Sequence, residues 1–333
     1  MIEHGECAPS GSKMKERLAL AACLPVDHAS ATLIGRVWMR GFDGGAIVAV
    51  RRRRRRPAAA ASNNGAKGMK AVSLEPNLRT EAAASQLVAA RLARRPGARL
   101  AESCRPRDNE TALAIQRRVG ELLHFDVGGW KCSLPTTDKA AFMAFMAPIY
   151  APTITSASPC SVLSEGANAR VEPEIAFVLG RDLKRRAQPY SDADVCSAIR
   201  ETRLVLELIG CRYADPTSAT FLEMLADGLN NQGLFVGPEV GDGAIRPLET
   251  IRVTVASGTE TILTHEGRHG DGHPLRPLVW LANFLASRDE GLEAGQIVTT
   301  GSYAGVLELP LATPLDIRFG DLGTLSVQFI GMV

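Results

Sequence analysis

Two carboxylates separated by one residue, Glu172 and Glu174, stand at the head of an apolar, β-branched run that continues through Ile175, Phe177 and Leu179. Side chains alternate across a strand, so residues i and i+2 share a face. If the run is a strand, the two carboxylates project side by side. Like charges held that close repel, and an ordinary sheet gains nothing from them. A divalent cation between them would remove the repulsion, whereas a solvated strand face would tolerate it. A second arrangement with chemical potential is His265-Glu266-Gly267-Arg268-His269, with His273 four residues further on. This is a literal H-E-x-x-H. Zinc-protease chemistry needs its two histidines at i and i+4 on one face of a helix. Here Gly267, Gly270, Gly272 and Pro274 all oppose a helix. The expectation is a loop leading to the next helix and no zinc protease.

The elements that must position these groups follow from periodicity. Residues 81–94 read as an amphipathic helix ended by Pro96-Gly97, and residues 109–124 as a second, capped by Asn109 or Thr111. Residues 127–134 form a short strand in which Gly128 and Gly129 suggest close backbone approach. Residues 140–146 are apolar and bulky, which suits core filling. A Pro/Ser/Thr/Ala loop, residues 151–170, leads into the Glu-x-Glu strand. A helix is expected near 192–199, strands at 201–209 and 233–238, and a helix at 219–225. Residues 251–256 and 260–264 flank Ser257-Gly258-Thr259 as a hairpin. A helix at 277–287 precedes short strands at 297–300, 315–319 and 324–329. Many short strands with helices mainly at the front indicate α+β with a mixed, curled sheet. No GxGxxG or P-loop supports a βαβ repeat.

Composition bounds the reading further. The chain has 333 residues, 45% hydrophobic and 22% charged, an ordinary globular balance. Residues 1–68 hold 12 Lys+Arg against 5 Asp+Glu, whereas the remainder holds 26 against 31, so the expected core is mildly acidic and has no nucleic-acid footprint. Residues 1–72 are expected to be a disordered or non-native extension. They contain a short apolar run at 18–26, six arginines at 51–56 and a low-complexity stretch, with Met69 a candidate natural start. Residues 73–333 are expected to form a single catalytic domain. Seven cysteines, an odd number without a CxxC pair, argue against a disulfide framework or thiolate zinc site and for the cytoplasm. No run approaches the roughly 20 apolar residues of a membrane span.

Several blocks occur in a telling order. They are Ala114-Ile115-Gln116-Arg117, Gly129-Trp130-Lys131, the stretch from Val171 to Asp182, Leu206-Glu207-Leu208-Ile209, Gly233-Leu234-Phe235-Val236-Gly237, Gly272-His273-Pro274-Leu275 with Val279-Trp280-Leu281-Ala282-Asn283, and Gly295-Gln296-Ile297-Val298-Thr299-Thr300-Gly301-Ser302. Together, over roughly residues 75–333, they resemble the 2-keto-4-pentenoate hydratase and 4-oxalocrotonate decarboxylase branch of the fumarylacetoacetate hydrolase superfamily. The resemblance implies a mixed β-roll of the C-terminal-domain type with N-terminal helices packed on it. It implies that Glu172, Glu174 and Glu207 bind Mg²⁺ or Mn²⁺, and that Lys131 is the lysine of the family's Gly-Trp-Lys block. Lys131, Glu172 and Glu174 would then be the catalytic residues.

The implied reaction is hydration of a 2-hydroxy-dienoate or 2-oxo-enoate from aromatic catabolism. Mg²⁺ takes six oxygens and keeps open positions. A 2-oxo acid can fill two of them, and the ion acts as a Lewis acid toward the developing enolate. Lys131 would offset excess negative charge or assist proton transfer. A decarboxylase, an acylpyruvate-type C–C hydrolase and a non-catalytic partner subunit are the alternatives. Homo-oligomers, or a complex with a related decarboxylase or aldolase, are implied as partners, with no nucleic acid and no membrane. Two departures stand out. The family follows its lysine block with an Asp that serves as acid/base, but residues 147–152 here hold no acid. Gly210 also stands where the family carries another Asp, although Arg212 matches. Tyr150, Asp138 or a water on the metal are the candidate substitutes.

Overall fold

The computed structural model describes residues 76–138, 141–164, 166–241 and 247–332. The expectations for the 18–26 run, the arginine run, the low-complexity stretch and a Met69 start lie outside the described residues. Chain order begins with α1 (Pro76–Leu92), α2 (Asn109–Leu123), β1 (Val127–Asp138), β2 (Ala141–Tyr150), β3 (Ile154–Thr155), β4 (Cys160–Val162) and β5 (Asn168–Leu179). It continues with α3 (Asp192–Cys196), β6 (Ile199–Ile209), α4 (Phe221–Ala226), β7 (Asn231–Glu239), β8 (Thr250–Ser257) and β9 (Glu260–Arg268). It ends with α5 (Leu275–Ala286), β10 (Ile297–Ser302), β11 (Leu307–Pro310), β12 (Pro314–Phe319) and β13 (Gly323–Gly331).

Two mixed sheets result. One has the order β2-β1-β10-β5-β6-β7-β3, with β11 also pairing β5. The other has the order β4-β13-β12-β8-β9. The pairs β1·β10, β3·β7 and β4·β13 are parallel and the rest antiparallel. The α+β expectation therefore holds.

Strand β5 is central. Its odd positions Val171, Ile175, Phe177 and Leu179 join the main core, while Ala176 and Val178 on the opposite face join Ile149, Val205, Leu234 and Ile297. A strand buried on both faces reads as a continuous apolar run, which is why 175–179 does not alternate. Pro173 sits inside this strand, where a proline normally cannot donate to the ladder. It is tolerated because β5 changes neighbours there. Ser302 of β10 pairs with Glu174 and Leu307 of β11 pairs with Val171, and the Pro173 carbonyl accepts the Tyr303 N–H at 3.1 Å in the gap between them.

Several boundaries differ from the sequence reading. Helix α1 starts at Pro76 rather than 81, with proline at the first turn where its missing N–H is harmless. Helix α2 is capped by Asp108, whose carboxylate accepts the Thr111 N–H at 2.7 Å, and not by Asn109 or Thr111. The 151–170 loop contains β3 and β4, and the helix near 192–199 stops at Cys196 so that Ile199 can begin β6. The close approach inferred at the glycines is real: a Cβ on Gly129 would lie 2.3 Å from the Ile297 carbonyl oxygen. Cys104, Cys132, Cys160 and Cys211 are buried free thiols. Among the described residues no helix is long and apolar enough to cross a membrane.

Candidate metal centre

Pairing in register brings the acidic groups together. Glu172 of β5 faces Glu207 of β6 directly across the ladder, and Glu174 lies one pleat repeat along the same face. The three are 2%, 0% and 2% exposed in the order Glu172, Glu207 and Glu174. Each offers one carboxylate oxygen, and these oxygens all lie within 4.8 Å of one another. They are the single group of histidine, cysteine or acidic side chains among the described residues that could converge on an ion.

Lys131, from strand β1 on the far side of β10, completes the cluster. Its Nζ donates to Glu207 Oε1 at 2.6 Å and to the Leu229 carbonyl at 3.2 Å. Asn231 Nδ2 also donates to Glu207 Oε1, at 3.0 Å. Glu174 Oε2 accepts from the Thr299 hydroxyl and from the Gly301 N–H at 3.0 Å. Two acceptor atoms are left over: Glu172 Oε1 and Glu207 Oε2 are buried without a hydrogen-bond partner. Leaving a charged acceptor unpaired in the interior is strongly unfavourable. These orphaned oxygens border a cavity of about 20 Å³ lined by Lys131, Cys132, Phe145, Glu172, Glu174, Glu207 and Gly301. That is room for one water- or ion-sized body.

The electrostatics agree. Burial, reinforced by Glu207 and Glu174, raises the Glu172 carboxyl well above its ordinary value. Burial and Glu207 push Glu174 up to about 7, against the opposing hydrogen bond from Thr299. Burial alone would lower the Lys131 ammonium, but Glu207, Glu172 and Glu174 outweigh it and raise its pKa. Three ionised carboxylates and one ammonium leave two negative charges, which a divalent cation would cancel. An all-oxygen donor set without histidine or cysteine suits a hard ion such as Mg²⁺, Mn²⁺ or Ca²⁺. The residues present therefore fit a divalent metal.

The turn before β7 holds two of these contacts. Gly228, Leu229 and Asn230 have φ of 85°, 54° and 62°, three successive left-handed residues. Such a conformation costs roughly 1–2 kcal/mol for each non-glycine residue. It delivers the Leu229 carbonyl to Lys131 and the Asn231 side chain to Glu207. Asp227, at the base of the turn, is held by Arg212 Nε at 2.7 Å and by Arg91 of α1.

Sequence reasoning had no role for Thr299, Gly301, Asn231 or the Leu229 carbonyl. Thr299 and Gly301 lay inside a quoted block, but only the β10–β5 register shows that they reach Glu174. Tyr150 does not belong to the site. The preceding residue on β2, Ile149, lies on the site face, so Tyr150 points the other way, and a Cβ on Gly120 of α2 would lie 3.2 Å from its ring. Asp138 is in β1, and its side chain lies outside the described side chains. His265 to Arg268 of the H-E-x-x-H segment end strand β9 rather than forming a loop, His269 follows the strand, and among the described residues they form no metal-ligating group. His265 is exposed, Glu266 pairs with Arg252 at 2.5 Å, and His269 is buried against the Tyr303 ring with centroids 5.4 Å apart.

Comparison with known proteins gives this geometry a setting. The sequence pattern described as "Fumarylacetoacetate (FAA) hydrolase C-terminal" matches residues 131–333, so the chain belongs to that family. Within it, the chain is 29% identical over 167 residues to 2-keto-4-pentenoate hydratase 2 of Dechloromonas aromatica, covering 48% of this chain and 60% of the relative. It is 26% identical over 218 residues to the 4-oxalocrotonate decarboxylase of Pseudomonas sp. CF600, covering 64% of this chain and 81% of the relative. The match to the hydratases thus spans about 60% of their length. The structure of the 4-oxalocrotonate decarboxylase from Pseudomonas putida G7, complexed with calcium and acetate, shares the fold with a TM-score of 0.62 at 22% identity, over 76% of this chain and 98% of that one. The same enzyme is also known complexed with magnesium and adipate.

Proposed function

We propose that this chain is a divalent-metal-dependent hydratase acting on a 2-hydroxy-dienoate or 2-oxo-enoate such as 2-keto-4-pentenoate. The observation that carries the reading is the convergence of Glu172, Glu174 and Glu207 on one small cavity with two orphaned carboxylate oxygens and a buried lysine. Glu172, Glu174 and Glu207 would hold the ion, Mg²⁺ or Mn²⁺. When bound, it would supply Lewis acidity toward the keto oxygen of the substrate. Lys131 would hold the substrate's carboxylate or enolate charge through its ammonium, which the three acids keep protonated. Thr299 and the Gly301 N–H fix the rotamer of Glu174, so that its second oxygen faces the cavity. Phe145, whose ring lies 6.0 Å from Lys131 Nζ, would form an apolar wall of the cavity.

Relatives named as hydratases support this reading, and the magnesium complex of the structural relative supports the choice of ion. The near-complete structural match to a decarboxylase favours one second reading, 2-oxo acid decarboxylation on the same scaffold. We further propose that residues 73–333 act as one catalytic unit in the cytoplasm, as a homo-oligomer, with residues 1–72 an extension to it. The test is absorbance decay of 2-hydroxypenta-2,4-dienoate with Mg²⁺. Decay that EDTA and Glu174→Gln abolish supports the hydratase. Carbon dioxide release from 4-oxalocrotonate without such decay would favour the decarboxylase.

A further inference from the structure

The metal centre accounts for three acids, yet a fourth half-buried carboxylate, Asp271, is held by β1 just beyond Lys131 without a function. Asp271 lies in the turn between β9 and α5. Its Oδ2 accepts from the Ser133 hydroxyl at 2.8 Å and from the Leu134 N–H at 3.0 Å. Ser133 is two residues beyond Lys131 on β1, so the two share a face. The carboxylate that Ser133 holds is therefore on the lysine's side of the sheet, about 6.6 Å further along the strand.

The strand pairing explains why an acid is needed there. The register of β1 with β10 runs from Gly129 opposite Ile297 to Lys131 opposite Thr299. Beyond that level β10 turns toward Glu174 through Gly301, whose φ is 122°. The Leu134 N–H then has an aspartate in place of a strand carbonyl. The strands part at the level of Cys132 and Gly301, both of which line the cavity. Asp271, held by Ser133, thus lies at the seam where the two strands separate, one residue along β1 from Cys132 of the cavity lining.

Its own surroundings leave one oxygen available. Arg276 Nη1 donates to the Asp271 carbonyl at 2.7 Å, and the Asp271 N–H donates to His269 Nδ1 at 3.2 Å. Both side-chain hydrogen bonds fall on Oδ2, which leaves Oδ1 for a substrate atom. The other titratable groups around it are Cys132, His269 and Arg276. Burial raises the Asp271 carboxyl above its ordinary value, against the Leu134, Ser133 and Arg276 contacts that lower it. A 2-oxo acid chelated through its carboxylate and keto oxygen would extend its remaining carbons away from the ion. The seam is where such a tail can leave.

We propose that Asp271 is the acid–base residue of this site, acting on the distal carbons of the substrate. The inference rests on the hydratase reading above. In its acid form Asp271 gives its proton to C5 of the 2-hydroxydienoate, while the enol O–H proton leaves to solvent. The new C3=C4 double bond is conjugated to the C2 ketone. As a carboxylate, Asp271 then takes one proton from the water whose oxygen bonds to C4. The electron pair of C3=C4 moves toward C2, and C3 takes up a solvent proton in place of the one the enol lost. One water is consumed and Asp271 ends protonated, as it began.

Asp271→Asn tests this against the wild type on 2-hydroxypenta-2,4-dienoate. The expected result is a loss of kcat of about 100- to 10,000-fold. Mn²⁺ affinity, read by paramagnetic resonance, should stay within about twofold. Metal-dependent deuterium exchange at C3 of the unreactive 2-oxopentanoate should persist, because it needs only the metal centre and Lys131. Asp271→Glu, which restores a carboxyl group, should recover at least about tenfold of the loss, and it carries the test if the Asn variant fails to fold. Hydration by Asp271→Asn within threefold of wild type would overturn the role of Asp271 and leave the hydratase reading intact. Joint loss of hydration, C3 exchange and Mn²⁺ affinity would overturn it as well, since that is what a merely structural aspartate would give. A wild type with no hydration on any 2-oxo-enoate would remove both readings together.

Discussion

Two strands carry motifs that could ligate metal, and they meet opposite fates. Strand β5 holds Glu172 and Glu174 at the centre of a sheet, paired on both edges and covered on both faces. Strand β9 holds His265 and Glu266 at the outer edge of the other sheet, where it pairs only with β8, and His269 lies just past its end. On β9 the charges are satisfied as ordinary surface groups: Glu266 pairs with Arg252, and both side chains are more than 60% exposed. Exposed pairs of this kind contribute between 0 and about 1 kcal/mol. On β5 the charges are buried, mutually repelling and left with unpaired oxygens. Residue type alone does not distinguish the two. Convergence of several buried acids with unpaired oxygens does, because only a cation repays both the desolvation and the repulsion; the one buried group of the second motif, His269, joins no such group among the described residues.

The comparison can be broken most directly by removing one carboxylate. Glu174→Gln or Glu207→Gln should weaken Mn²⁺ or Mg²⁺ binding by about 100-fold or more, as measured by calorimetry. His265→Ala and Glu266→Ala should leave binding unchanged. Equal effects from the two pairs would mean that burial is not the discriminating feature. Lys131→Met should lower turnover by about 100- to 1,000-fold. The substrate's KM should rise as well, because the ammonium that opposes the acid cluster is gone.

A smaller effect is expected from Thr299→Val, which removes the hydroxyl donor to Glu174. Metal affinity should fall about tenfold with the fold intact. A pH series sharpens the contrast further. Glu174 is pushed up to about 7 and Glu172 is also raised, so between about pH 4.5 and 7 the acid cluster of the folded, metal-free protein binds more protons than it does in the unfolded chain. The cluster's contribution to stability, read as the difference from Glu174→Gln, should therefore fall as pH rises through that window, while His269 and His273, whose pKa burial lowers, pull the other way. Saturating Mg²⁺ should reverse the trend, since it binds the ionised form and releases those protons. Differential scanning fluorimetry across pH 4.5–8 with and without Mg²⁺ reads both slopes. The least effect should come from His265→Ala, within about 0.5 kcal/mol of wild-type stability in urea unfolding.

Much of this was legible in the sequence. The Glu-x-Glu pair shows its shared face through strand alternation, and Glu207 stands out as an acid among Leu206, Leu208 and Ile209. Most of the order of strands and helices followed from turn residues and periodicity, but β2, β3, β4 and β11 were not read as strands. What could not be read depends on register between distant segments. Thr299 and Gly301 reach Glu174 only because β10 lies beside β5. Asp271 reaches Ser133 only because β10 leaves β1 at that level. The tolerance of Pro173 inside a central strand likewise depends on the exchange of β10 for β11 opposite it. The left-handed turn at Leu229 and Asn230 had a glycine signal only at Gly228, and tertiary contacts hold the other two.

The pairing of β5 on both edges has a consequence for how the metal would come and go. A strand with β6 along one side and β10 then β11 along the other cannot fray to relieve its charges. Amide hydrogens around Glu172 and Glu174 should therefore be among the slowest to exchange, with or without metal. The site would load its ion into a scaffold already in place, so that uptake is limited by ion dehydration and entry rather than by refolding. Chelation should then empty the site reversibly while the sheet around it stands.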